Sequence, residues 1–181
     1  MIKAILTFRF TTLLFLIITP LSAQDEVFVE EYLERLENSK KYLHLVAEMM
    51  PEEHFGFKPT PESLSFEEQL MHIGWAMDWH SQSLMGGRKA RNWETDTELK
   101  VDQKNKKEMM ETLDKTFDTT IAFIQNFDQS RLDETLDYFG STRTKRQILL
   151  LLVDHITHHR SQMLVYMRLK GIKPPRYVLY Q

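Results

Sequence analysis

Three histidines stand within five residues near the end of this 181-residue chain, at His155, His158 and His159. They interrupt an apolar stretch that would otherwise form the buried face of a helix. Residues four apart lie one turn apart on the same face of an α-helix, so His155 and His159 point in the same direction. Two neutral imidazoles so placed can share one divalent ion, as in H-E-x-x-H metal helices. His158 is the alternative ligand if His159 does not serve.

A third ligand has to come from elsewhere in the chain, and His72 is the best candidate. It lies on the apolar stripe of a predicted second helix, close in helical angle to Ala76 and Trp79. A single histidine on such a stripe is more often a core residue bonded to a carbonyl. Two unpartnered imidazoles in a core would each cost about 1–3 kcal/mol, however, and a shared metal removes that cost. His80 falls toward the edge of the stripe, and His54 has the setting of a surface or packing histidine.

The N-terminal residues predict a secretory signal peptide. A positively charged start is followed by an apolar stretch over 13–18 and by the small residues Ser22 and Ala23. We therefore divide the chain into a signal peptide, 1–23, and a mature domain, 24–181, that is exported to the periplasm or the extracellular space. The alternative is an uncleaved N-terminal anchor helix, although the apolar stretch is short for spanning a bilayer.

Composition excludes several classes of function. The formal net charge is −3 and no basic block is present, which argues against a nucleic-acid partner. The chain contains no cysteine, so packing alone must hold the exported domain together. A metal site must then use histidine and carboxylate ligands, and a thiol nucleophile is excluded. Contact with a membrane is expected only during export.

Hydrophobic periodicity predicts an all-α fold. Apolar residues recur at three- and four-residue steps in four segments, at about 26–50, 65–85, 101–127 and 142–171. The stretch 86–100 between the second and third segments has no clear period and is long enough to run the length of a bundle. The prediction is a four-helix bundle with a long crossover between helices 2 and 3. A short extended pair is expected around residues 136–139.

The order of these features resembles the DinB/YfiT-like superfamily of small bacterial four-helix-bundle proteins. Asp154-His155-Ile156-Thr157-His158-His159-Arg160-Ser161-Gln162 is similar to the family's asparagine-His-x-x-His-His-Arg-Gly-Gln signature. This chain has Asp154 in place of the asparagine and Ser161 in place of the glycine. Residues 59–73 resemble the family's segment that leads into helix 2, and residues 169–175 resemble its closing segment. The resemblance extends over about residues 27–175.

The resemblance implies a metal ion held by three histidines. One comes from helix 2 and maps to His72, and two come from helix 4 and map to His155 and His159. The ion in such families is typically zinc or nickel, with positions left open for water or substrate. Members with an assigned activity include thiol-dependent S-transferases and isomerases. Their low-molecular-weight thiols are cytosolic, so the transferase activity carries over poorly to an exported protein.

Three hypotheses for the function follow. The first is a metal-dependent hydrolase or a thiol S-transferase-like enzyme that acts on a small molecule, and the second is a non-catalytic metal- or ligand-binding bundle. In the third, the histidines are structural. No catalytic acid, base or nucleophile can be assigned, and the substrate is unknown. A homodimer is one expected assembly, because bundles of this kind often pair through helix faces.

The residues around the three histidines carry further expectations. Each ligand histidine should donate its other ring N–H to an acceptor, for which Gln162, Tyr166 or a carboxylate on a facing helix are the candidates. Arg160 is expected to pair with a carboxylate. His158 is expected to pack against a helix, with lining the mouth of the site as its alternative role. Asp154 is expected to face solvent.

Overall fold

The computed structural model describes residues 21–177. Within this range the chain is mostly helical, with four α-helices and one hairpin: α1 (Leu21–Met49), α2 (Phe66–Asp78), α3 (Lys106–Gln125), β1 (Thr135–Tyr138), β2 (Ser141–Thr144) and α4 (Lys145–Leu169). Seven π-helical residues, Trp79–Met85, continue α2 directly. None of the helices in the described range is long and apolar enough to cross a membrane.

The predicted signal peptide lies outside the described residues except for its last three, which form the first turn of α1. Cleavage after Ala23 would remove that turn and leave most of α1 in the mature domain. The division into 1–23 and 24–181 stays a prediction.

The helices α1 and α4 are parallel neighbours. Near their starts, the Tyr32 hydroxyl donates to the Leu149 carbonyl at 3.0 Å. Further along both helices, toward their C-terminal ends, the Arg160 guanidinium lies 5.2 Å from the centre of the Tyr42 ring. Both α1 and α2 pack against α3 and α4, so that α1 and α2 occupy opposite corners of the bundle.

The connection between α2 and α3 runs back along the bundle. Gly74 of α2 lies beside Leu113 of α3, and Ser81 Oγ is 3.3 Å from Thr120 Oγ1, so these two helices are parallel as well. A parallel neighbour can be reached only by a connection that returns along the helix. Residues 86–105 make that return, so the helices run up, down, down and up.

Capping boxes determine where three of the helices begin. In each, a side chain at the N-cap accepts a backbone N–H three residues later, and that later side chain accepts the N-cap N–H: Ser65 with Glu68, Asn105 with Glu108 and Thr144 with Gln147. The starts predicted near 101 and 142 are too early, because periodicity detects a buried face but does not locate a cap.

The hairpin adds a small two-stranded sheet to a fold that is otherwise helical, as expected. Strand β1 pairs antiparallel with β2, with Thr135 opposite Thr144 and Tyr138 opposite Ser141. Phe139 and Gly140 form the two-residue turn, and both have positive φ, 51° and 79°, as this kind of turn requires. Extended structure was expected around 136–139, where β1 lies. Strand β2 was not located, because its sequence is polar throughout and shows no alternation of apolar and polar residues.

A buried carboxylate at the end of α2 anchors the crossover. Asp78 accepts a hydrogen bond from the Arg88 guanidinium, and Arg91 Nε lies 3.2 Å from the same carboxylate oxygen. These bonds fix the first part of the crossover against the bundle. Trp93 follows directly and packs edge-on against Trp75, with ring centroids 4.6 Å apart. The anchor therefore controls where Trp93 lies.

We expect Asp78→Ala to lower the free energy of unfolding by about 1–3 kcal/mol, because it removes the buried carboxylate that Arg88 and Arg91 share, and Arg91 keeps only its more exposed partners Asp96 and Glu98. Amide hydrogen exchange should also become faster over residues 88–100. Asp118→Ala is the matched control, since it removes an exposed carboxylate that pairs with Lys40, and it should cost less than about 0.5 kcal/mol. Urea denaturation measures both variants, and equal losses would contradict the anchoring role.

Candidate metal centre

His72, His155 and His159 converge where α2 packs against α4. One ring nitrogen of each lies within 4.8 Å of those of the other two. The ring centroids are 4.4 Å apart for His155 and His159, 4.6 Å for His72 and His159, and 5.1 Å for His72 and His155. In residues 21–177 no other three histidine or acidic side chains form such a group. The antiparallel packing of α2 on α4 thus brings together the three residues that the sequence singled out.

His155 provides the observation that favours an ion. Its Nε2 is buried and has no hydrogen-bond partner. Every other buried side-chain nitrogen or oxygen in the described part of the chain has one. An unpaired buried polar atom costs about 1–3 kcal/mol. Coordination of a metal at this nitrogen would remove that cost. Three imidazoles are also a donor set that zinc accepts, so these residues fit a divalent ion.

His159 is the most buried of the three, and its Nδ1 lies 2.5 Å from Gln69 Oε1. Gln69 Nε2 in turn lies 2.7 Å from Gln162 Oε1 and 3.2 Å from the Tyr166 hydroxyl. The expected partners Gln162 and Tyr166 are therefore one hydrogen bond further out, and Gln69 is the direct partner. Sequence reasoning missed Gln69, although it stands three residues before His72 and so shares a face of α2 with it.

Burial keeps the three imidazoles neutral. Desolvation, with a smaller contribution from neighbouring histidines, lowers the pKa of His155 to about 4 and that of His159 to about 3. Desolvation also lowers the pKa of His72. The neutral imidazole is the form that coordinates a metal, so the site is prepared for a cation at neutral pH.

The two other candidate histidines have different neighbours. His158 is exposed and lies outside the group of three, with its Nε2 2.8 Å from Gln162 Nε2. His80 is buried, and both of its ring nitrogens have partners: Nδ1 lies 2.6 Å from the Ala76 carbonyl, and Nε2 lies 3.0 Å from the Tyr138 hydroxyl. The hairpin thus contacts His80, outside the group of three, through Tyr138.

Arg160 does not pair with a carboxylate of the described residues, contrary to the expectation. Its buried guanidinium lies over the rings of Tyr42 and Tyr177, at 5.2 and 5.8 Å from their centres. Contacts with two aromatic faces take the place of an ion pair. Arg160 therefore holds the C-terminal segment against α1. Asp154 is exposed, as expected, and lies 3.8 Å from Arg35.

A cavity of about 370 Å³ opens beside His72. Five apolar side chains line it, namely Leu64, Met71, Trp93, Leu99 and Val101. Three charged residues complete the lining, namely Glu68, Lys100 and Asp102. The Trp93 ring lies 6.2 Å from the His72 ring. Five of the nine lining residues come from the crossover, which was expected to be a plain connection over 86–100 followed by helix 3, so the cavity was not anticipated.

The lowered histidine pKa values predict a pH dependence of the metal-free protein. Unfolded, these imidazoles take up protons near pH 6.5, at about their ordinary pKa. Folded, they stay neutral to about pH 4 for His155 and about pH 3 for His159. The unfolded state therefore binds more protons below pH 6.5, and stability falls as the pH is lowered.

The urea midpoint of the metal-free protein should be clearly lower at pH 5 than at pH 7.5. A variant with His155→Gln and His159→Gln should lose most of this difference, because the two glutamine side chains do not take up protons. An equal pH dependence in the variant and the unchanged protein would contradict the assignment.

Comparison with known proteins agrees with this fold. The model of the DinB family matches residues 23–180. The uncharacterized protein YjoA of Bacillus subtilis (strain 168) is 28% identical over an alignment of 134 residues, and the match covers 70% of this chain and 80% of YjoA. The crystal structure of YjoA has a TM-score of 0.60 at 21% identity, and the match covers 86% of this chain and 98% of YjoA.

A DinB-like protein from Bacillus cereus ATCC 10987 has a TM-score of 0.65 at 21% identity, with 84% of this chain and 97% of that protein covered. At this level of identity the two solved structures establish the fold alone. The family model extends over nearly all of the described chain and confirms the resemblance found in the sequence. This protein belongs to the DinB family.

Proposed function

We propose that this protein binds one divalent ion through His72, His155 and His159 and uses it to act on a small molecule, by hydrolysis or group transfer. The observation that carries the proposal is the buried, unpartnered Nε2 of His155 within a group of three neutral imidazoles. An ion held by three neutral imidazoles keeps its charge and open positions, with which it can polarise a carbonyl or acidify water.

The donor set favours zinc or nickel. Imidazole nitrogen is a good ligand for both ions, whereas magnesium and calcium prefer oxygen ligands. The three histidines lie on two rigid helices rather than on loops, which supports a preformed site. Membership of the DinB family also supports a metal site at this place.

We propose the cavity beside His72 as the substrate site. His72 belongs both to the cavity lining and to the group of three histidines, so the cavity adjoins the candidate metal site at this residue. Its volume lies within the range of roughly 300–1,000 Å³ that is common for small-molecule sites. The apolar walls favour a substrate with an apolar body.

The proposal includes export of the chain after removal of residues 1–23. Outside the cytoplasm the protein would not meet cytosolic thiols. Hydrolysis, or transfer to an acceptor other than those thiols, therefore fits better than the S-transferase activity that the family resemblance implied.

A second candidate function is a metal- or ligand-binding bundle without catalysis. Glu68, a carboxylate in the cavity lining, supports this alternative because it is already engaged. It accepts the backbone N–H of Ser65 at 2.7 Å as part of the capping box, and it pairs with Lys58 at 2.9 Å. A carboxylate held in this way is a poor general base, which leaves Asp102 and the ion as the groups of the cavity that could assist a reaction.

The ligand assignment predicts the behaviour of three single variants. His72→Ala and His159→Ala should each abolish stoichiometric binding of zinc or nickel, because two imidazoles remain. His158→Ala should leave binding nearly intact, since this side chain lies outside the group. Competition with a chromophoric chelator measures the affinities, and circular dichroism verifies folding. Full occupancy in His159→Ala, together with loss in His158→Ala, would reverse the choice of ligands.

The substrate site predicts that filling the cavity removes activity without removing the metal. The metal-loaded protein would first be screened against small amides, esters and thiols. Val101→Trp should then lower turnover of any substrate found by at least about tenfold, because the added ring occupies the cavity. Val165→Trp, at an exposed position on α4, is the control and should leave turnover unchanged. Turnover that is equal in both variants would place the substrate elsewhere.

A further inference from the structure

Gln69 lies fully buried between the two helices that carry the histidines, with 1% of its surface exposed. Both ends of its side-chain amide bind α4. Oε1 lies 2.5 Å from His159 Nδ1, and Nε2 lies 2.7 Å from Gln162 Oε1 and 3.2 Å from the Tyr166 hydroxyl. A buried amide with partners at both ends has one favourable orientation.

The backbone carbonyl of Leu64 determines the direction of the hydrogen bonds in this network. A carbonyl oxygen can only accept, so the Tyr166 hydroxyl, 3.1 Å away, donates its single hydrogen to Leu64. The Tyr166 oxygen is then left to accept from Gln69. An amide donates through nitrogen alone, which places Gln69 Nε2 on Tyr166 and Oε1 on His159.

This orientation determines the tautomer of His159. The amide oxygen of Gln69 accepts, so His159 must carry its proton on Nδ1. Its Nε2 then has the free lone pair that a metal ligand needs. In the opposite tautomer, His159 Nδ1 would carry no proton. Two acceptors, this nitrogen and Gln69 Oε1, would then face each other at 2.5 Å.

We propose that Gln69 is a positioning residue that holds His159 in the Nδ1–H tautomer, with Nε2 available to an ion, before any ion binds. The inference rests on the proposed metal site and adds to it the residue that prepares one of its ligands. Gln69 and His72 lie one turn apart on α2, so the same helix turn supplies one ligand and orients a second.

The outer end of the network provides a control. Gln162 Oε1 accepts from Gln69, so its Nε2 faces His158 Nε2 and donates to it at 2.8 Å. His158 is exposed, and the Gln162 amide can present either its oxygen or its nitrogen to Gln69, so Gln162 alone does not decide the orientation of the Gln69 amide. Gln162→Met therefore leaves the chain from Leu64 through Tyr166 to Gln69 complete.

The first test is nitrogen-15 NMR of the histidine rings in the metal-free protein. In the unchanged protein and in Gln162→Met, His159 should appear as a single Nδ1–H tautomer. Gln69→Leu removes the acceptor and should give a mixture of tautomers. Gln69→Glu restores an acceptor and should restore the single tautomer. An unchanged Nδ1–H tautomer in Gln69→Leu overturns the proposal.

Tyr166→Phe provides the same test if Gln69→Leu does not fold. It removes the hydroxyl that orients the Gln69 amide, so His159 should again show two tautomers. A single Nδ1–H tautomer in Tyr166→Phe would overturn the proposal, because the Gln69 amide would then keep its orientation without the hydroxyl.

The second test is zinc affinity, measured by chelator competition. Gln69→Leu should weaken zinc binding about 10–100-fold, whereas Gln69→Glu and Gln162→Met should remain within about threefold of the unchanged protein. Equal weakening in all three variants would indicate a merely structural role and overturn the proposal. The two claims can fail separately: if the unchanged protein binds no zinc, the proposed function fails, and the tautomer measurement still decides the role of Gln69.

Discussion

The structure depends on how it satisfies polar groups that are buried where α2 packs against α4. An amide and three imidazoles lie in this interface, where an unpaired polar atom is costly. Gln69 and Tyr166 form one hydrogen-bond network that satisfies the amide and His159 Nδ1 and ends at a backbone carbonyl. Among the buried side-chain nitrogens and oxygens of the described residues, His155 Nε2 alone has no partner. A divalent ion is the partner that would complete the interface, which links the stability of the bundle to its chemistry.

The irregular segments determine what else can reach this site. The crossover supplies Trp93 and Leu99 to the cavity beside His72, and Asp78 anchors it at the end of α2. The hairpin contributes Tyr138, which binds His80 next to the cluster. The crossover and α2 together line a largely apolar cavity that reaches His72, one of the three neutral imidazoles.

Much of this arrangement could be predicted from the sequence, because helical periodicity shows which side chains of one helix share a face. The pairing of His155 with His159, the choice of His72 and the long stretch before α3 follow from that geometry. Periodicity carries no information about which residues of two helices meet. Gln69 was missed for that reason, and Arg160 was assigned a carboxylate partner in place of Tyr42 and Tyr177. The cavity depends on a crossover without any period, so no pattern in the sequence could reveal it.

The most direct test of the proposed metal site is elemental analysis of the protein, purified without a histidine tag from its native compartment. We predict about one equivalent of zinc or nickel per chain, since three neutral imidazoles with an unpartnered nitrogen form a site for one divalent ion. The absence of such a metal, together with a melting temperature that does not change on addition of zinc or nickel, would contradict the proposed metal site. The three histidines would then be structural groups in the core of a helical bundle.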